Sequence, residues 1–346
     1  MNGESQPARQ GYSKVHHKVN VHYLGTLWQY RTASLNPGVI YFAIRQLKRF
    51  DVIHIMGMYE SIGAAIAMFA GRWKIPYVLE PSGMLVPILR SFHKKNIYHR
   101  LVGYRMALRA AYVLATSEQE AAGIETSGVA PDRIVLRRNG VNLQEFSNLP
   151  KRGALRARLG IAQDVPIFLF VGRVNPIKKL EHLIEAFAQL ERQDSYLVIV
   201  GPVEGNDYRQ FLDDLIFARG IVKRVQFTGP LFGSEKLEAF VDADQFIMPS
   251  ASESWGNAIV EAIAAGIPVI VTDTCGVARY VRDRVGLVVS TNVEALQNAM
   301  ERLLTDISLY RSFKANTVSL AQELSWEKPI EQMTHLYESI ARVSDK

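Results

Sequence analysis

Residues Ala243–Val281 read ADQFIMPSASESWGNAIVEAIAAGIPVIVTDTCGVARYV, and their punctuation decides the fold. The short apolar run Gln245–Met248 has the signature of a buried strand; Pro249 and Ser250 break it, and a loop of small residues follows. A second such run is Val269–Thr272. Between them Ala258, Ile259, Ala262, Ile263 and Ala265 recur at helical spacing from a start near Gly256, and Gly266 with Pro268 just beyond supplies the stop. A strand, a helix and a strand in that order predict one unit of a parallel sheet.

The helix start has a chemical meaning. The first amides of a helix lack internal partners and carry about half a positive charge between them, so a phosphate docked at Gly256 and Asn257 would be stabilised. Gly256 has no side chain to hold the phosphate off. Glu253 precedes the helix and Glu261 lies about two turns further on, so the two carboxylates can accept hydrogen bonds from hydroxyls on either side of that phosphate. A molecule with hydroxyls flanking a diphosphate is a nucleotide sugar. Two glutamates at this spacing on a helix are otherwise an ordinary solvated face; the strand end before them and the AAGIPV turn after them make the combination specific.

The stretch PSASESWGNAIVEAIAAGIPVIVT (249–272) resembles the nucleotide-sugar signature of the retaining glycosyltransferases of family 4, the glycosyl transferases group 1. The resemblance implies the GT-B fold, an α/β architecture of two Rossmann-like, doubly wound parallel-sheet domains facing each other across a cleft.

Composition fits two such domains. The chain has 346 residues, 48% of them hydrophobic, enough for two cores. It shows neither an apolar run of membrane-spanning length nor a signal-peptide core at the start, which predicts a cytoplasmic protein, with peripheral attachment to the inner face of a membrane as the other option. Cys275 is the single cysteine, so an internal disulfide and a cysteine metal cluster are excluded. Charge is uneven: residues 1–150 hold 18 Lys+Arg against 9 Asp+Glu, whereas the remainder holds 22 against 25. The basic half is expected to meet an anionic partner.

Along the chain, nothing before Val19 offers the apolar strand and Gly-rich turn that open a Rossmann-like half. The first domain (1–150) is therefore expected to have an incomplete start, either because the strand and turn were lost or because the sequence is a fragment. Strands are predicted from Val19 (VNVHYLGT) and at Asp51–Met56, with a helical segment at Pro37–Phe50 between them. Glu60–Arg72 reads as a helix, Tyr77–Glu80 as a strand leading into PSGML, and AYVLATS (111–117) as a strand ending in a helix cap, with Ser117 and Glu120 at capping-box spacing. Arg90–Arg109 mixes six Arg and Lys with aromatic and aliphatic residues, either an ordinary amphipathic helix or a surface that rests on anionic lipid. No nucleic-acid motif accompanies the charge, so nucleic acid is not expected. RNGV (138–141) resembles the Asn-Gly-Val that closes the first GT-B domain.

The second domain (151–328) opens on PIFLFVG (166–172), a continuous apolar run suited to a strand covered on both faces. Strands at Tyr196–Val200 and Val225–Thr228 alternate with helices up to the central motif, and a last amphipathic helix (329–346) is expected to pack back on the first domain, as it does in GT-B enzymes.

The resemblance assigns roles. Arg173 and Lys178, on the loop that follows Gly172, grip the donor diphosphate; Glu253 touches the sugar; Ser254, Trp255, Gly256 and Asn257 meet the donor, and Glu261 binds its ribose. His54 stands in the strand-end motif in which relatives often carry a second, sugar-contacting histidine; that second position here is Met56, which leaves His54 as the catalytic candidate of this strand or as a strand histidine satisfied by its neighbours. Relatives usually have glycine where this chain has Lys179. No metal and no further cofactor are implied, because two cations serve a diphosphate leaving group directly. The expectation is a retaining, metal-independent hexosyltransferase moving a sugar from a nucleoside-diphosphate donor to an acceptor hydroxyl, in polysaccharide or glycolipid synthesis, with a lipid-linked acceptor one option. Two alternatives are a non-catalytic partner that has kept the donor site, and a sugar-nucleotide epimerase of the same fold.

Overall fold

The computed structural model describes residues 11–30, 33–85 and 98–344. They divide into two compact units, one of residues 1–137 with 331–346 and the other of Arg138–Ile330. The division falls at Arg137, ahead of the boundary at 150 expected from the sequence. The reason is local: the Val141 amide donates to the Leu324 carbonyl at 2.9 Å, and Val141 bridges Ser325. A Cβ on Gly140 would lie 2.5 Å from the Trp326 nitrogen, so glycine is what lets these backbones meet.

In the first unit, β1 (Tyr12–His16) and β2 (Val19–Tyr23) form an antiparallel hairpin, and β3 (Trp28–Tyr30) pairs with β4 (Ala33–Leu35). The VNVHYLGT strand is thus real, but it belongs to a two-stranded ribbon whose side chains are mostly exposed, and a strand does precede Val19. Its alternation comes from pairing across the ribbon, where Tyr12 and Tyr23 stack at 4.4 Å, rather than from half-burial in a large sheet. The parallel sheet of this unit runs β5 (Ile53–Met56), β6 (Tyr77–Glu80), β7 (Tyr112–Ala115), β8 (Ile134–Leu136) in spatial order. One face packs on the helix Ser61–Trp73 and its neighbours; on the other, Val78 and Leu114 meet Met333, Leu336, Tyr337 and Ile340 of the final helix, Glu327–Ser344. At the strand ends Ser117 caps the helix Glu118–Thr126 by accepting from the Glu120 amide at 3.2 Å. The Glu120 carboxylate serves the amides of Gly83 and Thr116, so the capping box forms on one side only. Of the basic stretch at 90–109, residues 90–97 lie outside the described residues; His99–Gly103 and Tyr104–Arg109 are helical. Among the described residues no helix is long and apolar enough to cross a membrane.

The second unit holds a six-stranded parallel sheet in the order β11 (Val225–Gly229), β10 (Tyr196–Val200), β9 (Ile167–Val171), β12 (Gln245–Met248), β13 (Val269–Thr272), β14 (Gly286–Val289). Numbered within the unit, this is the doubly wound order 3-2-1-4-5-6, which reverses between β9 and β12. Phe168, Leu169, Phe246, Ile247, Val269 and Ile270 are all fully buried, which is why these strands read as unbroken apolar runs. In doubly wound sheets a ligand binds outside the carboxyl ends of the strands where the order reverses, so the loops that follow β9 and β12 are the place to look for one.

Candidate functional site

Two loops meet at that reversal. The first leaves β9 through Gly172 and Arg173 and makes a turn of 3-10 helix, Pro176–Lys178, that Asn175 caps by accepting from the Ile177 amide at 3.1 Å. Lys179 then adopts a left-handed conformation (φ 51, ψ 40) before the helix Leu180–Ala188, which is the conformation glycine takes without strain. The second loop leaves β12 through Pro249 and Ser250 and is stitched to the first where the Ala251 amide donates to the Ile177 carbonyl at 2.8 Å. Its backbone is then pinned at Glu253, whose carbonyl accepts from the Gly276 amide at 2.9 Å. Gly256, at φ 105, swings the chain into the helix Asn257–Ala264, and Gly266, at φ 84, ends it.

The consequence is a direct ion pair between Lys178 and Glu253, two side chains 75 residues apart in sequence and only 12% and 21% exposed. Two further cations are balanced in the same way. Arg173 pairs with Glu204 at 2.7 Å, and Lys236, on the helix Gly233–Asp242, pairs with Glu261 at 2.9 Å. The Glu204 carboxylate also accepts from Asn175 at 2.8 Å. Burial alone would raise the Glu204 carboxyl, but the hydrogen bonds from Asn175 and Arg173 outweigh it and hold it below the ordinary glutamate value. At the helix start Asn257 accepts from Asn139 at 3.1 Å. Cys275 is buried beneath the loop, and burial pushes its thiol up to about 12, so it is no thiolate nucleophile.

Of the residues expected from the sequence, Gly172, Lys178, Glu253, Ser254, Gly256, Asn257 and Glu261 all lie on the two loops or the helix they feed. Arg173 lies on the first loop too, 63% exposed and turned to Glu204. Trp255 departs from expectation. Its side chain is 2% exposed, packed edge-on against Tyr280 at 5.8 Å, so it serves the core, and only its backbone, which accepts from the Val277 amide, borders the loop. His54 belongs to the first unit, where Nδ1 lies 2.6 Å from the Tyr337 hydroxyl and Nε2 lies 3.3 Å from the Glu80 carboxylate. Both ring nitrogens thus face polar neighbours of the same unit. Met56, at the end of the same strand, is 68% exposed. Glu204, Asn175 and Lys236 were not singled out from the sequence. An acid after GPV and a lysine on an exposed helix look like ordinary surface, and only the folded sheet brings them to the loops.

Both halves of the chain match known glycosyltransferase families. Residues 151–319 match the glycosyl transferases group 1, and residues 4–140 match the glycosyl transferase 4-like domain. The chain belongs to the group 1 glycosyltransferases, α/β proteins with the two Rossmann-like domains of the GT-B fold. Among similar proteins, the D-inositol 3-phosphate glycosyltransferase of Streptomyces scabiei is 33% identical over 306 residues, covering 83% of this chain and 68% of that protein. The protein of the same description from Stackebrandtia nassauensis is 28% identical over 305 residues, with the same coverages of 83% and 68%. Among solved structures, Anabaena HepE in complex with UDP and glucose has a TM-score of 0.79 at 22% identity, covering 88% of this chain and 82% of that one. WaaG, a glycosyltransferase involved in lipopolysaccharide biosynthesis, has a TM-score of 0.60 at 22% identity, covering 77% and 74%.

Proposed function

We propose that the protein transfers a sugar from a nucleoside-diphosphate donor to an acceptor hydroxyl with retention of configuration and without a metal ion. The observation that carries this reading is the Lys178–Glu253 contact beside the start of the helix Asn257–Ala264, at the reversal of the second sheet. As the glycosidic bond breaks, negative charge grows on the departing diphosphate. Lys178, Arg173 and the free amides at Gly256 and Asn257 are the groups that would stabilise it, and interactions that strengthen in the transition state are the ones that accelerate the step. Glu253 would accept from a sugar hydroxyl and Glu261 from the ribose. No protein nucleophile is needed if the leaving phosphate itself takes the acceptor proton on the same face. The UDP and glucose bound to HepE support a nucleotide-sugar donor, and the relatives named for D-inositol 3-phosphate support a polyhydroxylated, anionic acceptor for the basic first unit.

A lipid-linked acceptor in polysaccharide or glycolipid synthesis, met at the inner membrane surface, is the extension of this reading. Its support is that residues 61–112 carry eight Lys and Arg against one acid, Glu80, which is buried, while Met68 and Leu101 are 60% and 59% exposed. Basic and apolar side chains presented together are what binds an anionic interface.

The test is incubation with UDP-, GDP- and ADP-hexoses, offering D-inositol 3-phosphate and a lipid-linked alcohol as acceptors, and reading the product anomer by NMR. A retained anomer formed in the presence of EDTA supports the proposal; an inverted anomer, or turnover abolished by EDTA, overturns it. Met56 gives one reason to keep a second reading, a non-catalytic donor-binding partner, and nucleotide binding without turnover on any acceptor selects it.

A further inference from the structure

Both cations expected to hold the donor already have a carboxylate, Lys178 with Glu253 and Arg173 with Glu204, and the neighbouring Lys236 pairs with Glu261. Two of those carboxylates have proposed duties toward the sugar and the ribose. Glu204 has none, and it is the most elaborately held. It follows β10 on the neighbouring strand-end loop, where Gly201 lets that loop approach the Gly172 backbone, and its amide donates to the Val174 carbonyl at 3.0 Å. One carboxylate oxygen takes the Arg173 guanidinium, the other takes Asn175, and Asn175 is the residue that caps the turn carrying Lys178. Asn175 is buried, whereas Arg173 and Glu204 are 63% and 43% exposed. An exposed pair of this kind is weak and readily exchanged for a better partner.

We infer that Glu204 is a positioning residue of the donor site: its carboxylate parks Arg173 while the site is empty, yields it to the diphosphate, and reclaims it as the nucleoside diphosphate leaves. The inference rests on the donor-site reading above. A guanidinium on a flexible stem samples many rotamers in water, so a parked one reaches the ligand from a defined place. The same carboxylate is a negative charge held near an anionic ligand, and it repels what Arg173 attracts. Glu204 therefore trades affinity for readiness and release, which a purely structural hydrogen-bond acceptor would not do.

The sign of the effect is the test. Isothermal titration of the full chain with UDP, GDP and ADP, each alone, is compared for wild type, Glu204→Gln and Glu204→Asp, with thermal melting to verify folding. The Gln variant is expected to bind the preferred nucleoside diphosphate roughly three- to tenfold more tightly, the factor that follows from removing one charge a few ångströms from a multiply charged anion in a solvent-screened site. The advantage shrinks as salt rises. The Asp variant, which keeps the charge, stays within about twofold of wild type. Weaker or unchanged binding in a folded Gln variant overturns the inference while leaving the donor site intact, as does equal tightening in the Asp variant, which would make the effect steric. If none of the three nucleotides binds wild type, the donor-site reading fails and takes this inference with it.

Discussion

Removing the Lys178 ammonium separates what the Lys178–Glu253 pair does for the fold from what it does for the reaction. The two side chains are 12% and 21% exposed, between a surface pair worth about 0–1 kcal/mol and a buried one whose breakage costs about 3–5 kcal/mol. Lys178→Met leaves the Glu253 carboxylate mostly shielded from water without its counter-ion, so about 2–3 kcal/mol of stability should be lost. For a domain of this size each kcal/mol lowers Tm by about 2–4 °C, which predicts a fall of about 5–10 °C. Glu253→Gln removes the stranded charge, and the double variant should recover most of that fall, a coupling of the size neighbouring groups show. Activity should behave differently. If the ammonium neutralises the leaving diphosphate, Lys178→Met loses at least roughly a hundredfold in kcat/KM, about 2.7 kcal/mol of barrier, and the double variant recovers none of it. The assays are thermal melting and initial rates with the preferred donor. Turnover within a few-fold of wild type in Lys178→Met, or recovered in the double variant alongside stability, would refute the assignment and reduce the pair to a structural bridge.

Three further outcomes follow from other parts of the molecule. Gly201→Ala places a Cβ against the Gly172 carbonyl at a φ of 143, so the strand-end loops are forced apart and the variant should melt well below wild type with weakened nucleotide binding; unaltered melting would contradict the close approach. Burial would raise the Glu80 carboxyl, but the hydrogen bond from His54 and the charge of Arg137, 2.5 Å away, hold it below its unfolded value of about 4.3. Its contribution is therefore complete above that value and lost as pH falls through the depressed folded pKa, so urea denaturation should show an acid-side loss below about pH 4 that Glu80→Gln flattens. Reversing two basic charges with Arg105→Glu and Arg109→Glu should reduce sedimentation with vesicles containing anionic lipid while leaving neutral vesicles unaffected, and salt should weaken the wild-type interaction; binding that ignores both charge and salt would remove the membrane surface from consideration.

Much of the second domain was legible because its chemistry is local. A strand buried on both faces must be apolar throughout, so PIFLFVG and QFIM stand out, and the glycines at 256 and 266 announce the ends of a helix because their positive φ values exclude most other residues. The segment from 243 to 281 thus states its own secondary structure, and with it the place where a phosphate is welcome. The strand from Val19 was legible but its partner Tyr12–His16 was not, because alternation is the same for a ribbon in water and a strand on a core; which of these it is depends on a partner strand, not on the segment. That the Trp255 ring lies inside was not legible, because flanking residues do not reveal which side of a loop faces the interior.

What the sequence determined alone was therefore the alternation of strands and helices, the parallel sheet of the second domain, and the residues able to carry charge at its strand ends. The tertiary structure decided who stands beside whom. The order 3-2-1-4-5-6 puts the loop after β9 against the loop after β12, and only that juxtaposition makes partners of Lys178 and Glu253, or brings Glu204 from β10 to Arg173. Backbone preferences act over a few residues and are written in them; ion pairs between loops many residues apart exist only once the sheet has set the distance.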